Sequence, residues 1–290
     1  MKEKQELLKP KIDVVFHSLF RKGNERLTKA IITAVTKEKI KSINLNKDRH
    51  LINKYPEKKL GILDLRVTLD NGVICNIEVQ LADNKDTAER FLYYWSKIYS
   101  NQLIRGDEYK KLNKVIGIII IDYEFEKTKQ IESIGTKWKI KEVSTGKEIE
   151  LTDVLELHII EIPKARAILE KETKNKLAQW MMFINNPNDK EVKDIMKENE
   201  EIKEAMEELE EMSKDEELRR VAELVEKGIR DEKNALLHAK EEGIEQGIEQ
   251  GKKVRNIEIT KKLIKLGSTI ENIMQINGLS KEEILKIKEE

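Results

Sequence analysis

Two short runs with clean alternation hold the residue types best suited to chemistry. In Leu63-Asp64-Leu65-Arg66-Val67-Thr68-Leu69 the apolar side chains point one way and Asp64, Arg66 and Thr68 the other. In the next run Val73, Cys75, Ile77, Val79 and Leu81 share one face, which leaves Ile74, Asn76, Glu78 and Gln80 on the opposite face. Asp70-Asn71-Gly72 separates the two runs. A two-residue Asn-Gly turn would pair Asp70 with Val73 and mix an apolar face with a polar one, whereas a three-residue loop with Gly72 left-handed pairs Leu69 with Val73. The second register keeps the apolar faces together and sets Asp64 directly across from Glu78. Like charges placed so, with Cβ atoms roughly 5 Å apart, repel and need something to offset them. A divalent cation would do so, because two hard carboxylates, the main-chain carbonyl of Val79 and waters suit Mg²⁺. Such an ion lowers the pKa of a bound water and polarises a phosphoryl oxygen, and Gln80 on the same face would orient the water or contact the phosphate. The pattern alone also fits polar residues on the wet side of a hairpin, with Arg66 offsetting the carboxylates.

The elements that must position this hairpin are legible on either side of it. Val15, Phe16, Leu19, Phe20, Leu27, Ile31 and Val35 recur at helical spacing and predict one or two helices interrupted near Gly23. Ile40 to Leu45 carries a strand signal. Phe91, Leu92, Trp95, Ile98, Tyr99 and Leu103 predict a helix over about residues 86–103. Val115 to Ile121 is continuously apolar, as a strand buried on both faces would be. Trp138 to Val143 and Leu157 to Ile162 read as later strands, with Pro163 closing the last. The order helix, strands, helix, apolar strand predicts an α/β sandwich with a mixed sheet. Beyond Pro163 a helix is expected over Ala165 to Phe183, a break at Asn185-Asn186-Pro187-Asn188, and exposed Lys/Glu-rich helix from Glu191 to Glu242. The repeat Gly243-Ile244-Glu245-Gln246-Gly247-Ile248-Glu249-Gln250-Gly251 puts its glycines on one slowly drifting helical face. Two or three short helices follow over Ile257 to Ile287, with Ser280 and Glu283 in a capping-box pattern.

The 290 residues carry 55 Lys/Arg against 55 Asp/Glu, and a zero net charge argues against a general nucleic-acid binder. The balance hides an asymmetry: residues 1–60 hold 16 Lys/Arg against 7 Asp/Glu, and residues 189–250 hold 11 against 22. An anionic partner would meet the N-terminal part, unless those lysines form only a solvated face. Cys75 is the only cysteine, which excludes an internal disulfide and a cysteine-based zinc site. His17, His50, His158 and His238 lack ligand spacing and read as structural or surface residues. No apolar stretch suits a signal peptide or a membrane span, so a cytoplasmic location is expected.

Taken together, four segments resemble the PD-(D/E)XK nuclease superfamily, and more closely its Rpn branch of recombination-promoting nucleases or transposases. They are Ile12-Asp13-Val14-Val15-Phe16, Leu63-Asp64-Leu65-Arg66, Ile77-Glu78-Val79-Gln80, and Arg90 through Tyr109 with Tyr93-Tyr94-Trp95-Ser96, Gln102, Gly106 and Tyr109. The resemblance covers about residues 9–165. It implies an αβββαβ restriction-endonuclease-like core, Asp64 and Glu78 as metal ligands, and Gln80 at the position of the superfamily's lysine. That glutamine departs from the superfamily pattern, since it brings no positive charge to a developing phosphorane, although it looks usual for this branch. Leu63 stands where the motif has proline. Asp13 is either an accessory acid or a cap on the first helix. Arg90 and Tyr94, four residues apart, would reach the substrate backbone, unless Tyr94 packs in the core. The expectation is thus a Mg²⁺-dependent DNA endonuclease, with a weakly active or inactive DNA-binding or regulatory protein, or an oligomeric scaffold, as alternatives. The expected domains are a nuclease-like domain over 1–165, a charged helical extension over 166–242, and a Gly-repeat helix with a small helix-turn-helix-like tail over 243–290. Homo-oligomerisation is expected through these C-terminal helices.

Overall fold

The computed structural model describes residues 6–21, 23–45, 65–83 and 85–289. In chain order the elements are α1 (Asp13–Leu19), α2 (Glu25–Thr36), β1 (Ile43–Leu45), β2 (Leu65–Leu69), β3 (Ile74–Gln80), α3 (Thr87–Ser100), β4 (Val115–Ile121), β5 (Gly135–Trp138) and β6 (Leu155–Glu161). The helices α4 (Ala165–Lys171), α5 (Lys176–Asn185), α6 (Lys190–Glu198), α7 (Glu200–Met212), α8 (Glu216–Lys265), α9 (Ile270–Asn277) and α10 (Lys281–Glu289) complete them. The strands form one mixed sheet in the order β1-β2-β3-β4-β6-β5. The α/β class and mixed sheet agree with the sequence reading.

The hairpin has the register that the alternation demands. Leu65 faces Ile77 and Thr68 faces Ile74, the Leu69 amide donates to the Val73 carbonyl at 2.8 Å, and Gly72 sits at φ +83°. Glycine adopts that conformation without the Cβ penalty. β3 then runs parallel to β4, with Glu78 beside Ile119 and Gln80 beside Ile121, and α3 makes the crossover that parallel strands require.

β4 is buried along its whole length because both sheet faces are covered. On one face Ile116, Ile118 and Ile120 join Cys75, Ile77, Leu65 and Val67 beneath the apolar residues of α1, α2 and α5. On the other, Val115, Ile119 and Ile121 meet Phe91, Trp95 and Ile98 of α3. The Trp95 indole donates to the Val115 carbonyl at 2.9 Å. Gly117 permits this approach, since a Cβ there would stand 2.9 Å from both Phe91 and Leu157.

Three expectations are corrected. β5 lies at Gly135–Trp138 rather than Trp138–Val143, where only an isolated bridge, Lys141 to Glu150, forms. Gly135 lets Ile160 of β6 approach to a distance no side chain would allow, whereas Val143 is 87% exposed and has no core to face. The helix expected over 165–183 is two, with Asn175 capping α5 by accepting the Ala178 amide at 3.0 Å. The Lys/Glu-rich segment is not simply exposed, because Val192, Ile195, Ile202, Ala205, Met206, Leu209 and Met212 are buried with the main core. A narrow apolar stripe suffices to dock such helices. The first compact unit spans Met1–Ile229.

The second unit spans Arg230–Glu290. In it, Ile273 and Ile284 are buried, and the Asn277 amide donates to Thr260 Oγ1 at 2.8 Å. Gly278 ends α9 in the left-handed conformation. The capping box forms: the Ser280 amide donates to Glu283 Oε2 at 2.8 Å, and the Glu283 amide to Ser280 Oγ at 3.3 Å.

Candidate functional site

Alternation along β3 turns Asn76, Glu78 and Gln80 toward the face covered by α3, away from Cys75 and Ile77. Glu78 is only 3% exposed and Gln80 9% exposed. Val79 has its side chain against the opposite core, so only its main chain is available to this site. Asp64, the partner expected for Glu78, lies outside the described residues, as does His50.

Gln80 is anchored by the turn that leads from β3 into α3. Its Nε2 donates to the Ala82 carbonyl at 2.9 Å and stands 3.4 Å from Thr87 Oγ1. Thr87, buried at the start of α3, is in turn 2.6 Å from the Tyr123 hydroxyl. Burial pushes the Tyr123 phenol up to about 12; the Thr87 hydrogen bond opposes this, the carboxylates of Asp83 and Glu78 add to it, and Arg90 counters it. Tyr123 thus senses Glu78, Asp83 and Arg90 together, and all four lie about the carboxyl ends of the parallel strands β3 and β4. Open α/β sheets bind their ligands at this end. At the same end Asp122 donates its amide to the Gln80 carbonyl at 3.1 Å and pairs with Lys11 at 2.8 Å.

Beneath Glu78 the face has a polar floor. Arg66 lies across from Asn76 in the register, and Arg66 Nε and Asn76 Oδ1 are buried without a hydrogen-bond partner among the described residues. Leaving such atoms unpaired is costly, which marks the floor as a place where a water, ion or phosphate oxygen would be stabilised. The donors along this face, Asn76, Glu78 and Gln80, are all oxygen-bearing, with no histidine or cysteine on this face of β3. That chemistry fits a hard cation of the Mg²⁺ type rather than zinc. Among the described residues no group of three His, Cys, Asp or Glu gathers to form a complete metal site.

The accessory residues separate. Arg90, in the first turn of α3, lies near enough to Tyr123 for its charge to favour the ionised phenol. Tyr94 is half-buried and packs edge-on to the Tyr93 ring at 5.5 Å. Asp13 belongs to α1, on the other side of the sheet from Glu78. Its Oδ1 accepts the Val14 amide at 2.7 Å, and burial raises its pKa against the pull of that amide and of His17. Thr87, Asp83 and Tyr123 were not singled out from the sequence. The signal that could have found them is position: Asp122-Tyr123 directly follows the fully apolar strand, where a parallel sheet delivers its functional loops.

The opposite face carries a second charged group. Glu156 is buried, with Oε1 2.7 Å from His158 Nε2 and Oε2 2.8 Å from Lys114 Nζ. Burial alone would raise the Glu156 pKa, but the His158 and Lys114 hydrogen bonds outweigh it and hold the group well below the usual carboxylate range. Cys75 is buried, and burial with the charges of Glu156 and Glu38 pushes its thiol far up, leaving it inert. A cleft of about 870 Å³ opens on this side, lined by Lys29, Lys137, His158 and Trp180, away from the acidic face.

No helix among the described residues is long and apolar enough to cross a membrane. No curated protein and no solved structure matches this chain. Residues 10–239 match the family described as "PD-(D/E)XK nuclease family transposase", and over that span the chain belongs to this family.

Proposed function

We propose that this protein is a Mg²⁺-dependent DNA endonuclease acting in recombination or mobile-element processing, with Asp64, Glu78 and the Val79 carbonyl as the metal ligands. The observation that supports this most is the hairpin register. Leu65, covalently bonded to Asp64, faces Ile77, covalently bonded to Glu78, so one further step of the same ladder would bring the two carboxylates opposite each other. A bound divalent ion would supply an acidified water and charge stabilisation at the phosphoryl oxygens.

The chain's own residues supply the rest. Glu78, buried beside β4, brings negative charge into a low-dielectric setting where a cation is strongly favoured. Gln80 is a positioning residue, its amide fixed by Ala82 and Thr87 so that it can orient a water or a phosphate oxygen. Arg90 offers a cation to the phosphate backbone. We place the protein in the cytoplasm, on its lone, buried cysteine, and propose homo-oligomers through the C-terminal helices.

Plasmid nicking tests the reading: activity in Mg²⁺, none in EDTA, and loss in Asp64→Ala. Equal cleavage by wild type and Asp64→Ala would remove the assigned site. A second reading, a DNA-binding protein with little or no turnover, is favoured by Gln80, which brings no positive charge where the superfamily has lysine. It predicts salt-sensitive DNA binding without cleavage in any divalent metal, and rapid nicking would exclude it.

A further inference from the structure

In the second unit, α8 carries a face that no other described residue of that unit covers. Successive helical residues turn by about 100°, which gathers Leu236, Leu237, Ile244, Ile248 and Val254 on one side, while the far side presents His238, Glu242, Glu249 and Lys253. Each of the five apolar residues is half or more exposed. Gly243, Gly247 and Gly251 lie along the same stripe, and a Cβ added at any of them would meet nothing within 4 Å. Glycine weakens an exposed helix relative to alanine, and no packing among the described residues requires it here. In proteins most helical stability comes from packing of an apolar face, which this stripe does not obtain within its own unit.

The charges beside the stripe say which partner. Glu241 and Arg255, each seven residues from Ile248, lie along the edge of the stripe, Glu245 and Lys252 lie just beyond that edge, and Lys240 stands within the stripe. Lys253 and Glu249 satisfy each other within the helix, whereas among the described residues Glu245, Lys252 and Arg255 make no ion pair and Glu241 meets only His238, at 3.8 Å. In a parallel pair of helices Glu241 would stand beside its own copy and Arg255 beside its own, setting like charges together along the seam. In an antiparallel pair a two-fold axis near Ile248 sets Glu245 against Lys252 and Glu241 against Arg255, each twice.

We propose that α8 pairs antiparallel with α8 of a second copy of this chain, about a two-fold axis near Ile248, with isoleucines of each helix over the glycines of the other. This rests on the oligomerisation reading above and gives it a geometry.

The test uses the full-length protein, with mass in solution measured by light scattering and sedimentation. Wild type should dimerise, more weakly as salt rises. Glu241→Lys with Glu245→Lys, or Lys252→Glu with Arg255→Glu, should each weaken dimerisation at least about thirtyfold, taking exposed pairs at their usual modest strength. All four reversals together should restore it. Under oxidation, Glu241→Cys chains should join to Arg255→Cys chains and not to each other, since antiparallel pairing holds the two copies of position 241 about 22 Å apart along the axis. A monomeric wild type would overturn both the pairing and the oligomer reading. A dimer indifferent to the reversals, or one that joins position 241 to itself, would overturn the antiparallel geometry alone. Plasmid nicking by the same variants reports the nuclease reading separately.

Discussion

Replacing Gly117 with alanine probes the contact that holds α3 over the acidic face. The new Cβ would stand 2.9 Å from Leu157 Cδ2, 2.9 Å from Phe91 Cζ and 3.0 Å from Phe91 Cε2. Ordinary carbon contacts need about 3.5–4.0 Å, so something must move by more than half an ångström. Phe91 cannot yield freely, being packed with Ile119, Ile121, Phe125 and Ile159. Overpacking of this kind costs about 1–3 kcal/mol, and for a unit of this size about 2 kcal/mol lowers the melting temperature by roughly 4–8 °C. Because α3 also carries Thr87 and Arg90, nicking activity should fall even well below the melting temperature. Phe91→Leu should relieve the clash, so the double variant should be more stable than the sum of the single effects by about 1 kcal/mol or more in a thermal or urea unfolding cycle. Strictly additive effects, or a neutral Gly117→Ala, would show that α3 is not packed on β4 as described.

Other consequences are equally specific. Glu156→Gln should cost about 3 kcal/mol, because it leaves Lys114 and His158 without their buried partner. The folded-state pKa of Glu156 is depressed, so its contribution is present above the unfolded value of 4.5 and lost as pH falls below it through the folded value. The stability gap between wild type and Glu156→Gln should therefore close on acidification, and a constant gap in urea melts would refute the linkage. Thr87→Val should raise the Tyr123 phenol further, since the Thr87 hydrogen bond lowers it, and an unchanged ultraviolet titration would contradict that bond. Gly72→Ala should destabilise by about 1 kcal/mol through its φ of +83°, as read by chemical unfolding.

The hairpin was legible because two independent signals agreed: period-two alternation on both strands, and a glycine where a three-residue loop needs a positive φ. Val115 to Ile121 was legible because seven apolar residues in a row leave no wet face. The docking of α6 and α7 was hidden by composition, since their buried residues are outnumbered by lysine and glutamate, and only spacing betrays them. β5 was misplaced because alternation in Trp138–Val143 mimics a strand, while the true pairing depends on Gly135 admitting Ile160, a tertiary fact. In the candidate site, the shared face of Glu78 and Gln80 could be read from one strand. Thr87 and Tyr123 could not, because Thr87 reaches Gln80 through the turn from β3 into α3 and Tyr123 through the parallel register of β3 with β4.

The central claim is that Glu78 and Asp64 hold one divalent ion between them. Calorimetric titration with Mg²⁺ or Mn²⁺ tests it on wild type, Glu78→Gln, Asp64→Asn and the double variant, each first shown to be folded. Wild type should show one site, either single variant should lose it, and the double should lose nothing further. Undiminished metal binding by folded Glu78→Gln would contradict the claim.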